Sequence, residues 1–174
     1  MGELTASFEK TILALLAERK YFALRDVLNT MAPADIATLL ENIPEDKMPL
    51  LFRLLSKELA ANTFVEMDAD VQELLIRGFS DNELKDVVDE LYVDDAVDIV
   101  EEMPANVVRR ILKQADPDMR KMINEILKYP DDCAGSIMTT EYVNFSADLT
   151  VAEAIKNIRR SGVDKETIYT CYVT

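Results

Sequence analysis

The chain has 174 residues, is 49% hydrophobic and carries a formal net charge of −14, with no histidine. A protein this acidic is repelled by nucleic acid and by anionic lipid surfaces, so we expect a cationic partner and no nucleic acid. Because histidine is the usual general base, its absence argues against triad chemistry, and we predict that the protein is not an enzyme. No apolar run in the sequence approaches the ~20 residues that a membrane span requires.

Two amphipathic helices are predicted at residues 4–18 and 21–30, where they would cap the repeat that follows. From 33 to 115 the sequence repeats itself every twelve residues. Within one unit the apolar positions fall at i, i+3, i+4 and i+7, which is one face of an α-helix. The four columns read Ile43, Leu55, Met67, Phe79, Leu91 and Met103; Leu40, Phe52, Phe64, Ile76, Val88, Val100 and Leu112; Leu39, Leu51, Thr63, Leu75, Val87, Ile99 and Ile111; and Ile36, Met48, Ala60, Gln72, Leu84, Ala96 and Val108.

Residues that favour helix starts recur at the same interval. They are Pro44, Ser56, Asp68, Ser80, Pro104 and Asp116, and Tyr92 breaks the column. Each unit then holds a helix of about ten residues, which is too short to be stable alone in water, so it must bury its apolar stripe against its neighbours. We predict a mainly α fold, a right-handed α-solenoid of short helices with a repeat of about twelve residues, and a last helix at 117–128.

The pattern changes after residue 130. Pro130 cannot continue a helix and restricts Tyr129 as well, so we place a domain boundary there and divide the chain into 1–130 and 131–174. The second part predicts a strand at 142–145, a helix at 151–161 closed by Gly162, and a strand at 168–173. A strand–helix–strand unit of about 38 residues cannot close a core by itself. We therefore expect an incomplete α/β unit, the start of a longer second domain.

Acidic charge concentrates at 81–103, which holds ten acidic residues against one basic residue, Lys85, for a net charge of −9. The candidate for chemistry is Asp94-Asp95-Ala96-Val97-Asp98. Asp94 and Asp98 fall one turn apart, while Ala96, Ile99, Val100 and Met103 point the other way, so the carboxylates are expected to face outward. Like charges at this spacing destabilise a helix by roughly 0.2–0.5 kcal/mol. A hard divalent cation such as Mg²⁺ would remove that repulsion.

Two interpretations of this acidic face remain open. Acidic residues in the first turn are favoured by the helix macrodipole, and a charged outer face is normal for a solenoid. Alternatively, the face binds a divalent cation through oxygen ligands, with further ligands or charge from another surface. The stretch lacks the glycine turn of an EF-hand. The two cysteines, Cys133 and Cys171, lack the spacing of a zinc site and favour a reducing compartment.

The segment at 129–143, Tyr-Pro-Asp-Asp-Cys-Ala-Gly-Ser-Ile-Met-Thr-Thr-Glu-Tyr-Val, carries a family resemblance together with 150–155 and 168–173. It resembles the junction between the cytosolic helical N domain and the first CBS domain of the MgtE family of magnesium transporters and channels. The two later segments resemble the CBS helix and strand that follow. The resemblance covers essentially the whole chain.

The resemblance implies a homodimeric protein of the cell membrane with a cytoplasmic helical N domain, two CBS domains, a connecting helix and a transmembrane pore. In that family Mg²⁺ bound between the cytosolic domains favours the closed pore, so it implies a magnesium-sensing role, with the protein's own CBS and transmembrane domains as partners. Matching the family's ligand stretch to 91–98 makes Asp94 and Asp98 metal ligands and Asp95 an adjacent acidic position. Another acidic ligand of the family falls where this chain has Asn62, so the site is expected to be weaker or built differently.

Two other function classes remain open. A protein-interaction scaffold without ion sensing fits the repeat, because flagellar motor switch proteins have similar stacks of short helices, although a CBS-like tail is not expected there. A CBS-linked enzyme or adenosine-nucleotide sensor would need CBS strands beyond those in this sequence.

Overall fold

The computed structural model describes residues 2–130, 132–162, 165 and 167–174, with side chains from residue 8 onward. In chain order the elements are α1 (Gly2–Ala17), α2 (Tyr21–Leu28), α3 (Pro33–Glu41), α4 (Met48–Phe52), α5 (Lys57–Val65), α6 (Ala69–Gly78), α7 (Asp81–Val88), α8 (Val93–Glu102), α9 (Ala105–Gln114), α10 (Pro117–Ile126), β1 (Val143–Phe145), α11 (Val151–Ser161) and β2 (Cys171–Val173). The mainly α fold is confirmed, as are the opening helices, the helix after Asp116 and the strand–helix–strand tail. Asp131, at the predicted boundary, lies outside the described residues.

The helix starts follow the twelve-residue column. Ser56, Asp68, Ser80 and Pro104 are the residues that precede α5, α6, α7 and α9. Ser80 forms a reciprocal capping box, in which its hydroxyl accepts from the N–H of Glu83 and the Glu83 carboxylate accepts from the N–H of Ser80. These contacts satisfy N–H groups that a helix start leaves without intrahelical partners.

Helix α4 departs from the predicted start at Pro44. It begins at Met48 and is five residues long, with Pro49 in its first turn. Proline lacks an N–H, and inside a helix its ring clashes with the carbonyl four residues earlier, so Pro49 is tolerated only near a helix start. The chain therefore turns after Pro44 and enters the helix one turn later than the repeat predicts.

The predicted apolar columns form the core of the repeat region. One column is buried at every position: Leu39, Leu51, Thr63, Leu75, Val87, Ile99 and Ile111. The half-buried exceptions in the other columns are Leu55, Val108 and Leu112. Alternate helices pack on one another, α3 on α5, α5 on α7 and α7 on α9. The short helices of these pairs are therefore held by their neighbours, as the solenoid prediction requires.

The described residues form two compact units. The first consists of the chain up to Leu91 together with Ile99–Asp116, and the second consists of Tyr92–Asp98 with Pro117–Thr174. The second unit thus groups the start of α8 with α10 and the strand pair. Compactness groups residues by contact and not by domain, so the division into 1–130 and 131–174 stays a prediction.

In the second unit, β1 and β2 pair in parallel with Val143 opposite Cys171. Helix α11 connects them, and Thr150 caps it in a box with Glu153. Val143 is buried, but Val151 is 76% exposed and Tyr169 is 98% exposed. These three elements enclose little apolar surface, as expected for an incomplete α/β unit. Among the described residues, no helix combines the length and the hydropathy needed to cross a bilayer.

Candidate functional site

Helix α8 carries the acidic residues that the sequence singles out, with Asp94 and Asp95 in its first turn. Its buried side chains are Val93, Ala96, Val97, Ile99 and Val100, and Met103 is buried just after it. The inward positions expected from the helical spacing are confirmed. Val93 and Val97 widen that face, which the sequence analysis did not anticipate.

The acidic side chains of α8 differ in exposure. Asp98 is exposed, whereas Asp94 and Asp95 are half-buried, and Oδ1 of Asp94 is buried. In a helix with 3.6 residues per turn, Asp98 lies opposite the centre of the buried face, and Asp94 and Asp95 lie at its two edges. The outward orientation of Asp98 is confirmed. The expectation of a fully outward Asp94 is corrected, because Val93 and Val97 bring the buried face up to it.

The three aspartates do not form a closed metal cage. Within the described part of the chain, no group of three or more histidine, cysteine, aspartate or glutamate side chains is placed to hold a metal ion. Mg²⁺ commonly binds one or two carboxylates and keeps several waters. The exposed Asp98 and the nearby Asp94 and Asp95 therefore fit a largely hydrated Mg²⁺ ion, and their role as ligands stays a prediction.

Helix α7 carries acidic residues that are neutralised by bases from earlier helices. Nε of Arg53 donates to Glu83 at 2.5 Å, and Nζ of Lys57 donates to Asp86 at 2.7 Å. The hydrogen bond from Arg53, followed by those from the Ser80 backbone and hydroxyl, lowers the pKa of Glu83 from 4.5 to about 2. The hydrogen bond to Asp86 raises the pKa of Lys57. The lowered pKa of Glu83 and the raised pKa of Lys57 keep these two groups charged at neutral pH.

A third base serves the start of α7. Arg110, from α9, forms an ion pair with Asp81 at 3.3 Å. Its guanidinium also donates to the carbonyl oxygens of Ile76 and Phe79 at the end of α6. Arg110 thus neutralises a carboxylate and satisfies carbonyls that a helix end leaves without intrahelical partners.

The exposed acids of α8 differ from those of α7. Within the described residues, Asp98, Glu101 and Glu102 form no ion pair. From the sequence, residues 81–103 are expected to form one acidic surface for a cationic partner. The structure narrows this expectation, because bases from elsewhere in the chain pair with Asp81, Glu83 and Asp86 on α7. Within 81–103, three of the four exposed acids that have no ion pair among the described residues lie on α8.

The twelve-residue repeat shows the same difference between the acids of α7 and those of α8. Asp86 and Asp98 are twelve residues apart and occupy the same position in successive units. Lys57, the partner of Asp86, is followed twelve residues later by Ala69. Arg53, the partner of Glu83, is followed twelve residues later by Val65. The acids are retained from one unit to the next, but the bases are replaced by apolar residues, and this signal was available in the sequence.

A contact from the second unit reaches the start of α8. The N–H of Val93 donates to Oε2 of Glu141 at 2.8 Å. Glu141 lies in the segment before β1 and belongs to the same unit as Tyr92–Asp98. In the sequence, Glu141 lies inside the family-like segment at 129–143, and no local pattern pairs it with Val93, so no role for it is predicted.

Asn62 lies on α5 in the first unit and is exposed. Its amide oxygen is a possible metal ligand but carries no charge, so it cannot replace the electrostatic contribution of a carboxylate. Whether the site is weaker here because of Asn62 stays a prediction.

Comparison with known proteins points to one family. The family model for the MgtE intracellular N domain matches residues 31–132. The chain is 31% identical over 155 residues to the magnesium transporter MgtE of Thermus thermophilus. That match covers 87% of this chain but only 34% of the relative, so the chain spans about a third of its length.

Two solved structures share the fold. One is the cytosolic domain of the Mg²⁺ channel MgtE in complex with ATP, with a TM-score of 0.86 and 29% identity, covering 95% of this chain and 68% of that one. The other is the soluble part of a magnesium transporter, with a TM-score of 0.85 and 24% identity, covering 98% of this chain and 67% of that one. At that identity the second shows the fold alone.

Proposed function

The chain belongs to the MgtE family, whose intracellular N domain it carries over residues 31–132, and on that premise we propose that it is the cytosolic magnesium-sensing part of a magnesium transporter or channel. Mg²⁺ binds Asp94, Asp98 and Asp95 on α8, with an acidic CBS surface facing them, and favours the closed state of the pore. The partners are the CBS and transmembrane domains of the same homodimeric membrane protein.

One observation supports this function above the others: Asp98 is exposed on α8, and among the described residues no base pairs with it in the way that bases pair with the acids of α7. Acids of α7 pair with Arg53 and Lys57, whereas Asp98 forms no ion pair within the described residues. Two acidic surfaces that face each other repel when no cation is present. A divalent ion between them screens that repulsion and bridges carboxylates, directly or through water. Where bases already pair with the carboxylates, a divalent ion has less repulsion to screen.

The same electrostatics give the direction of regulation. When Mg²⁺ is scarce, the two acidic surfaces separate and the population shifts toward the open state. The size of the shift is limited by the difference in Mg²⁺ affinity between the docked and separated states, which for allosteric coupling is typically about 1–3 kcal/mol.

The test is the Mg²⁺ dependence of thermal unfolding of the 174-residue chain at constant ionic strength. One variant, Asp94→Asn with Asp98→Asn, removes proposed ligands. A matched control, Asp70→Asn with Asp86→Asn, removes the same charge from the same repeat positions on α6 and α7. At ten times its dissociation constant, Mg²⁺ should raise the Tm of the wild type and of the control by roughly 3–6 °C. It should leave the ligand variant unchanged.

An equal Mg²⁺ response in both variants would contradict the proposed site, and no response in the wild type would contradict magnesium sensing by this chain. The second result would favour the interaction scaffold, for which a partner captured equally well with and without Mg²⁺ is the expected finding.

Adenosine-nucleotide binding is a second candidate function, favoured by the similar structure in complex with ATP. The same assay with ATP and a chelator of divalent ions tests it. Stabilisation by ATP that survives replacement of Asp94 and Asp98 would support a nucleotide site separate from the Mg²⁺ site. No stabilisation would contradict nucleotide binding by this chain.

A further inference from the structure

We propose that Glu141 positions the metal-binding end of α8 and ties it to strand β1. The N–H of Val93, the first residue of α8, donates to Oε2 of Glu141 at 2.8 Å across 48 residues of sequence. Both residues belong to the second compact unit. This inference rests on the proposed function, because it concerns the carboxylates assigned there to Mg²⁺.

The residue before α8 explains why the helix uses a distant acceptor. Helix starts leave N–H groups without intrahelical partners. Before α5 and α7, Ser56 and Ser80 accept from such groups with their own side chains. The same repeat position before α8 holds Tyr92, whose hydroxyl lies at the far end of a rigid ring and cannot fold back onto its own helix. Ser56 and Ser80 accept from the third residue of their helices, whereas Glu141 accepts from Val93, the first residue of α8. A carboxylate suits this position, because a helix N-terminus carries partial positive charge.

Glu141 is itself held by its surroundings. Its N–H donates to Oγ1 of Thr139 at 3.2 Å, and the hydroxyl of Thr140 donates to Sδ of Met122 on α10 at 3.8 Å. Two residues after Glu141, Val143 opens β1 and is 4% exposed. The backbone at Glu141 is therefore held between α10 and β1, and the Glu141 carboxylate joins the first turn of α8 to it.

The contact with Glu141 would set the positions of the carboxylates that bind the ion. Asp94 and Asp95 follow Val93 directly, and Oδ1 of Asp94 is buried, so the directions of these side chains follow the orientation of the first turn. Removing the groups that orient metal ligands typically weakens metal binding by about 10–100-fold. For a largely hydrated ion we expect the lower end, about tenfold. A movement of β1 would also displace Glu141, so the contact links the strand pair to the metal-binding carboxylates.

The test uses the 174-residue chain with Glu141→Ala, Glu141→Gln and the control Glu125→Ala, an exposed glutamate on α10 in the same unit. Two quantities are measured: amide hydrogen exchange of Val93, and the Mg²⁺ concentration at half of the Tm increase. Glu141→Ala should speed exchange of Val93 by about tenfold and raise the Mg²⁺ midpoint by about tenfold. Glu141→Gln keeps an oxygen acceptor and should retain most of the protection of Val93 and most of the Mg²⁺ affinity. Glu125→Ala should change neither the exchange of Val93 nor the Mg²⁺ midpoint.

Unchanged exchange of Val93 in Glu141→Ala would overturn the contact. Faster exchange with an unchanged Mg²⁺ midpoint would overturn the positioning role and leave the proposed function intact. A wild type without any Mg²⁺ response would refute the proposed function and this inference with it. If Glu141→Ala does not fold, Glu141→Gln decides, since retained protection of Val93 with a Mg²⁺ midpoint raised about tenfold would also contradict the role assigned to the hydrogen bond.

Discussion

Removing the bases that serve α7 should give the chain a second response to Mg²⁺. Arg53→Gln with Lys57→Gln leaves Glu83 and Asp86 without the ion pairs seen at 2.5 and 2.7 Å. These carboxylates would then resemble Asp98, which has no ion pair within the described residues. If resident bases are what keep divalent ions from α7, their loss should let Mg²⁺ bind there.

The magnitude follows from the Arg53–Glu83 pair. A pKa of about 2 against 4.5 corresponds to roughly 3 kcal/mol at about 1.36 kcal/mol per pKa unit. The Glu83 side chain is 33% exposed, and Ser80 contributes to the shift, so solvent screening reduces the share of Arg53 to about 1 kcal/mol. The variant should therefore unfold roughly 2–4 °C below the wild type at pH 7 without Mg²⁺.

The pH dependence has a defined sign. Folding lowers the pKa of Glu83, so this stabilisation is complete above the unfolded pKa of 4.5 and is lost as the pH falls through about 2. The Tm difference between wild type and variant should accordingly shrink below pH 4.5.

The assay is thermal unfolding across a Mg²⁺ titration, with Lys121→Gln and Lys128→Gln as a control that removes the same charge from exposed positions. The double variant should gain more Tm from Mg²⁺ than the wild type or the control does. Equal gains in all three proteins, or a Tm at pH 7 unaffected by loss of Arg53 and Lys57, would refute the reasoning.

Two further predictions concern the scaffold. Thr63→Val should raise the free energy of unfolding, measured by urea denaturation, by about 1 kcal/mol, because Oγ1 of Thr63 is buried and has no hydrogen-bond partner within the described residues. A loss of stability would show that the hydroxyl has a favourable role. Gly135→Ala should lower the free energy of unfolding by about 1 kcal/mol, because a Cβ there would lie 2.5 Å from the Tyr129 ring. The loss should be smaller in a Tyr129→Ala background, and an equal loss there would show that the ring is not its cause.

The repeat region was predictable because its determinants are local. A column position such as Leu75 is fully buried, and a start residue such as Ser80 caps the helix it was expected to begin. Both follow from a helical period and from the hydrogen-bonding needs of a helix start. The late start of α4 was not predicted, because the repeat places a helix start at Pro44, whereas Pro49 is tolerated only near the start of a helix. This restriction on proline is also local.

The partners of the acidic residues were not predictable from the same signals. Periodicity tells which side of a helix is buried but not which helix it meets. Lys57 on α5 reaches Asp86 on α7 over 29 residues, because alternate helices pack on one another. Val93 and Glu141 lie outside any common repeat, so their hydrogen bond depends on tertiary structure alone. The acidic spacing singled out Asp94 and Asp98 but left cation binding open, and the family resemblance implied that they are Mg²⁺ ligands.

The position of the bound ion tests the central claim most directly. Mn²⁺ takes the same oxygen ligands as Mg²⁺ and broadens the NMR signals of nearby amides. Titrated into the 174-residue chain, it should broaden the amides of α8 around Asp94 and Asp98 first, spare those of α7, and be displaced by Mg²⁺. Broadening that centres on α7, spreads evenly over the acidic helices or persists in excess Mg²⁺ would contradict the account.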